Sequence, residues 1–170
     1  MNAIEFKVGI SQSTARDDER SRALCLPEKT LICLHVSSRE ETSCLDLAKS
    51  LRRKTTAEIV PFSGPSCRVL RHLNAGRRTA DLVLFVSDGR CWADFGTIAT
   101  GRGKRLATMA EEWMLFRARN RRARLVLVDL RALGMTRVMG HPEVLQVGGL
   151  SDAMFRVISL FAAGKLDVEH

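Results

Sequence analysis

Apolar residues along this chain fall into two alternating kinds of run. Short, nearly continuous stretches appear at Thr30–Val36, Glu58–Phe62, Leu82–Ser87, Arg124–Asp129 and Val144–Val147. Between them lie longer segments with apolar residues three or four apart. The short runs read as strands buried on both faces, and the spaced ones as amphipathic helices. One helix is predicted over Thr42–Arg53, with Leu45, Ala48 and Leu51 or Arg52 at helical spacing and Thr42 or Ser43 as N-cap. A second runs over Ser66–Asn74 and is closed by Gly76. A third covers about 104–119, with an apolar stripe of Leu106, Met109, Ala110, Trp113, Met114 and Phe116. The last is capped by Ser151 and runs through Ala163, with Met154, Val157, Ile158 and Phe161 inward. Pro61 lacks an amide donor, which places it near the end of its strand. Upstream, Phe6–Ile10 reads as a short strand and Thr14–Leu24 as a frayed helix.

Strands alternating with helices imply parallel βαβ units. The predicted fold is α/β, a three-layer, mainly parallel open sheet of five or six strands with helices on both faces. With 170 residues and no linker, the chain makes one domain over 30–170, with residues 1–29 as an extension packed on it. In such sheets ligands bind outside the carboxyl ends of the strands. Asp88, the acid that ends the third strand, marks that edge.

Composition narrows the functional classes. The apolar fraction of 45% excludes a disordered chain. No apolar run reaches the roughly 20 residues of a membrane span, and no secretory leader pattern opens the sequence. Five cysteines without a CxxC pair favour reduced thiols in a cytoplasm. The net charge of +8 is compatible with nucleic acid and equally with an arginine-rich soluble domain. The arginines are scattered in pairs at 52–53, 77–78 and 121–122, and the chain has no Tyr, so platforms for stacking bases are sparse.

Several constellations carry candidate chemistry. His35, Cys67, Cys91 and Asp88 have ligand types that suit zinc, without the spacing of a zinc signature. Cys91 or Cys67 with His35 would make a nucleophilic dyad, but no oxyanion hole or orienting third group is visible. Gly101-Arg-Gly103-Lys104 precedes a helix without phosphate-loop spacing and reads as a helix-capping loop. His72 and His141 read as surface, and Met109 and Trp113 as core.

The block from Asp81 to Gly164 carries a family resemblance. Its residues are Asp81-Leu-Val-Leu-Phe-Val-Ser-Asp88, Trp92, Gly101-Arg-Gly103, Met109, Glu112-Trp113, Phe116-Arg-Ala-Arg-Asn120, Ala123 to Leu130, Val147-Gly-Gly149, Ser151-Asp152, Phe155 and Phe161 to Gly164. Upstream, Leu26 to Thr30, Cys44 to Ala48 and Ile59 to Phe62 stay in register. This pattern resembles the von Willebrand factor A-type domain at the C-terminal end of the Ro ribonucleoprotein autoantigen family, the proteins with a TROVE module. The resemblance implies the appended domain alone, without the ring of helical repeats that grips RNA in that family. It also implies the loss here of an antiparallel edge strand.

Such domains commonly hold a divalent cation on oxygen ligands at the strand carboxyl edge. Carried over position by position, the resemblance puts His35, Ser37 and Arg39 in the first ligand loop, Pro65 with neighbouring Ser66 in the second, and Asp88 in the third. Ser37, Ser66 and Asp88 keep oxygens, while His35, Arg39 and Pro65 do not, so the site is expected to be degenerate, with weak Mg²⁺ or Zn²⁺ binding at most. Arg39 is then expected to stand beside Asp88 in place of the metal. The function implied is a non-catalytic interaction module of a Ro-like ribonucleoprotein system. It would bind a protein partner at the carboxyl edge, in the cytoplasm and without a membrane. The alternatives are direct RNA binding through the basic surface and a metal- or thiol-dependent enzyme using His35, Cys67 and Cys91.

Overall fold

A computed structural model describes residues 26–36, 55–87, 108–130, 141–149 and 151–166. In these lie β1 (Thr30–His35), β2 (Glu58–Phe62), α1 (Ser66–Ala75), β3 (Leu82–Ser87), α2 (Met109–Arg119), β4 (Arg124–Asp129), β5 (Val144–Gly148) and α3 (Asp152–Ala162). The strands make one sheet in the order β2-β1-β3-β4-β5. Every pairing is parallel. The α/β class and the five strand positions match the expectation from the hydrophobic pattern, and β3 lies at the centre. The predicted helix over 42–53, the region 1–25 and the glycine-rich segment after β3 lie outside the described residues.

Alternation along each strand builds the two cores. Leu31, Cys33, Val83, Phe85, Leu125 and Leu127 project to one face, where α1 and α2 cover them with Leu70, Leu73, Met109, Trp113 and Phe116. Ile32, Leu34, Leu84, Val86, Val126 and Val128 project to the other, under Met154, Ile158 and Phe161 of α3. Successive residues of one strand serve opposite faces, so all the strands must be apolar nearly throughout. The described residues therefore form three layers.

The helix ends follow local chemistry. Thr108 and Glu111 form a reciprocal capping box at the start of α2. Ser151 Oγ accepts from Met154 N–H at 3.2 Å and caps α3 as predicted. At the end of α1 the expected stop is found. Gly76 is the C-cap but has an ordinary φ of −77°. The left-handed turn falls instead on Arg77, at φ 48°.

Two side chains depart from the predicted stripe of α2. Met114 is 58% exposed, whereas Glu112 is 5% exposed. The inward stripe is 109, 112, 113 and 116, and position 114 turns away from it. Glu112 is tolerated inside because it is clamped. Arg71 Nε donates to its Oε1 at 2.9 Å and Asn74 Nδ2 to its Oε2 at 2.8 Å. Asn74 Nδ2 also lies 2.9 Å from the Glu112 carbonyl. These bonds fasten α1 to α2 and hold the Arg71 guanidinium pKa above its ordinary value. Pro61, fourth in β2, is exposed on the sheet's outer strand among the described residues. His72 is exposed as expected, but His141 is half-buried beside Glu143.

Candidate functional site

The strand order places the site. From β1 the chain passes to β2 on one side, and from β3 it passes to β4 and β5 on the other. A crevice therefore opens between the carboxyl ends of β1 and β3, the usual ligand position in an open α/β sheet. Leu34 pairs with Val86, and the next residues on the two strands are His35 and Ser87.

His35 is half-buried, and its ring sits 5.2 Å from that of Phe62, which meets Phe85 edge-on at 5.6 Å. An aromatic wedge thus supports the imidazole at the strand end. Val36 N–H continues the ladder by donating to the Phe62 carbonyl at 2.8 Å. Past β2, Gly64 turns the chain at φ +85°, and Pro65 stands as N-cap of α1 with no side-chain capping bond. Ser66 is fully buried in the first turn of α1, and Cys67 is 9% exposed and packs into the core. His35, Pro65, Ser66 and Cys67 therefore share one edge of the sheet. Ser37, Arg39, Asp88 and Cys91 lie outside the described residues.

Ser87 and Asp129 also end their strands here. They are 0% and 3% exposed and lie directly across from one another in the β3–β4 register. Leu130 N–H reaches the Ser87 carbonyl at 2.8 Å, and Gly149 N–H the Asp129 carbonyl at 2.7 Å, so the ladder holds firm to its rim. In the sequence Asp129 is marked only as the end of a strand. The signal was the same as for Asp88: an acid closing an apolar run. Among the described residues, no group of three or more His, Cys, Asp or Glu gathers to hold a metal ion. No described helix is long and apolar enough to cross a membrane.

A parallel sheet whose order reverses between β1 and β3, with helices on both faces, defines a Rossmann-like or von Willebrand factor A-like domain. Among solved structures, the Ro (RSR) protein of Deinococcus radiodurans is similar to it, with a TM-score of 0.58 at 13% identity. The likeness covers 81% of this chain and 34% of that one, so the chain spans about a third of that protein. At this identity the likeness is one of fold. No family model matches the chain, and no curated protein matches it.

Proposed function

We propose that this domain is a non-catalytic interaction module of a Ro-like ribonucleoprotein system, working in the cytoplasm and receiving a protein partner at the carboxyl edge. One observation carries the reading. At the switch-point edge of a fold shared with a Ro protein, the positions that the family resemblance gives to oxygen ligands hold an imidazole braced by Phe62 and a proline that caps a helix. Neither offers the hard oxygen that Mg²⁺ requires. The proposed edge is a shaped surface with its cation site largely lost.

The test is affinity purification of the full-length protein, with and without ribonuclease, comparing wild type with Ser63→Arg/Arg68→Glu. Both positions are exposed at the ends of β2 and α1. A ribonuclease-resistant partner that the double variant loses supports the reading. A partner retained by the variant sinks it. Mg²⁺ at millimolar concentration is expected to leave the melting temperature unchanged. A site filled at one hundred times its Kd would add about 2.7 kcal/mol.

A further inference from the structure

α1 and α2 lie side by side on one face of the sheet, but their outer sides differ. The exposed residues of α1 are Arg68, Arg71, His72 and Ala75, mostly polar, as a helix covering one layer of a domain requires. Those in the middle of α2 are Met114, Leu115 and Ala118. Met114 and Leu115 are 58% and 55% exposed, and Leu160 of α3 is the one other large apolar side chain exposed among the described residues. The inner side of α2 is packed on the sheet through Met109, Trp113 and Phe116. The helix is therefore apolar on both sides, the pattern of a helix that is covered on both. Met114 and Leu115 adjoin and make a patch, where scattered single residues would need no explanation.

The charges at the two ends of this patch say what covers it. α2 opens on Glu111 and Glu112 and closes on Arg117 and Arg119, with Arg121 and Arg122 in the turn that follows. Glu112 is clamped inside by Arg71 and Asn74. Arg117 pairs with Glu143, and Arg119 is drawn aside to Asn74 Oδ1 at 2.6 Å. Glu111 takes the Thr108 N–H on Oε2 at 2.9 Å and stays half-exposed. Arg121 and Arg122 are exposed and make no ion pair among the described residues. They stand at the amino edge of the sheet, because α2 runs antiparallel to the strands, and there the topology brings them beside Arg77 and Arg78. Asn120 locks that turn. Its Nδ2 donates to the Arg78 carbonyl at 3.4 Å and to the Phe116 carbonyl at 3.0 Å, while its Oδ1 accepts from Ala80 N–H at 3.4 Å.

A surface that is acidic at one end, apolar in the middle and basic at the other is complementary to its own copy turned end for end. From this juxtaposition we propose that the outer side of α2 joins two copies of the chain, antiparallel, in a two-fold dimer. Such an interface uses the same patch on both molecules. Leu115 of each copy lies across from Ala118 of the other, whose small side chain leaves it room, and Met114 flanks the contact. One turn beyond, Glu111 of each copy meets Arg121 and Arg122 of the other. The two helix dipoles are also opposed head to tail, which favours the same pairing. With one 11-residue helix from each copy, the contact falls below the roughly 1,200 Å² of stable complexes, so a micromolar dissociation constant is expected. The dimer leaves the carboxyl edge of each copy open, so this assignment and that of the protein partner can fail independently.

Sedimentation equilibrium of the full chain from about 1 to 300 μM spans such a constant. Wild type is expected to pass from monomer to dimer within this range. Leu115→Glu should stay monomeric throughout with an unchanged urea midpoint, since the side chain is exposed. Leu160→Glu, exposed on α3, should associate like wild type. Two charge reversals test the antiparallel register. Glu111→Lys and Arg121→Glu/Arg122→Glu, each confirmed as folded by circular dichroism, should each weaken self-association about tenfold, because they set like charges against each other. Mixed together they should recover wild-type association, because Lys then meets Glu at one end and the native pair remains at the other. A wild type that is monomeric at every concentration overturns the proposal and assigns the patch to another part of this chain or to a different protein. So does a dimer that survives Leu115→Glu or is lost equally with Leu160→Glu. A mixture of the two reversals that associates no better than either alone overturns the antiparallel pairing.

Discussion

The two edges of the sheet are built on opposite principles. At the carboxyl edge, polar side chains are drawn inward: Ser66, Ser87 and Asp129 are each under 5% exposed, and His35 is half-covered. At the amino edge the backbone is bound tightly through Asn120, while the charged side chains stand out in water. A buried polar group is costly unless its surroundings compensate it, so the first edge is rigid and selective. An exposed guanidinium costs little and acts over about 10 Å at ordinary salt, so the second acts at a distance and is tuned by ionic strength. The difference teaches where to look for each kind of partner. Shape belongs at the carboxyl edge and charge at the amino edge.

The largest expected effect lies between the edges, at the clamp that sets α1 against α2. Glu112→Ala removes the acceptor of Arg71 and Asn74 and should destabilise by about 2–3 kcal/mol, as expected for hydrogen bonds to a charged group. Glu112→Gln should recover part of that loss in urea titrations. A loss under about 0.5 kcal/mol would mean that the helices are set by apolar packing alone.

The next test opposes the edges directly. Asp129→Ala should cost about 1–3 kcal/mol, because a buried carboxylate is matched by surroundings that its removal leaves uncompensated. Arg122→Ala, on the surface, should stay within about 0.5 kcal/mol. Equal costs would erase the distinction between a buried edge and a solvated one.

A third test probes the dry interior that separates them. Burial, reinforced by the Glu58 carboxylate, pushes the Cys33 thiol far above its ordinary range of about 8.5. The folded protein keeps the proton that the unfolded chain gives up near that pH. The position's contribution to stability is therefore complete below about pH 8 and declines as pH rises beyond it. Urea midpoints from pH 8 to 10 should fall faster for wild type than for Cys33→Ala. A maleimide should label Cys33 only once the protein is unfolded.

The smallest effect is at Arg77. Arg77→Gly should be neutral or stabilising by up to about 1 kcal/mol, as left-handed strain is exchanged against glycine's greater unfolded freedom. A clear loss of stability would mean that contacts of the Arg77 side chain outweigh its backbone strain.

The fold was legible because the strands are buried on both faces and therefore read as unbroken apolar runs; β3 and β4 fall on the predicted boundaries. Caps carried by a single residue type, such as Ser151, were legible too. Glu112 was not, because its burial depends on Arg71 and Asn74, about forty residues away, and periodicity cannot see a tertiary partner. Met114 misled for the complementary reason: an apolar residue one step off the stripe looks like part of it. Of the candidate site, the chemistry of His35, Pro65, Ser66 and Cys67 could be named from sequence, and the structure adds their shared edge. Asp129 was not legible as a site residue, because an acid closing an apolar run looks the same in sequence whether it ends up buried or in water. The amino-edge cluster was visible only as scattered pairs, since the topology, not the spacing, brings 77–78 beside 121–122.

Pro61 has a consequence for how these molecules behave toward one another. The Phe62 carbonyl faces β1, so the alternate residue, Pro61, turns its nitrogen outward, along the free margin of β2 among the described residues. A neighbouring chain that tried to extend the sheet there would meet a ring where it needs a donor. That margin of the sheet is a poor template for growth. The domain can be held at high local concentration, as on a crowded assembly, without its sheets joining end to end at that strand.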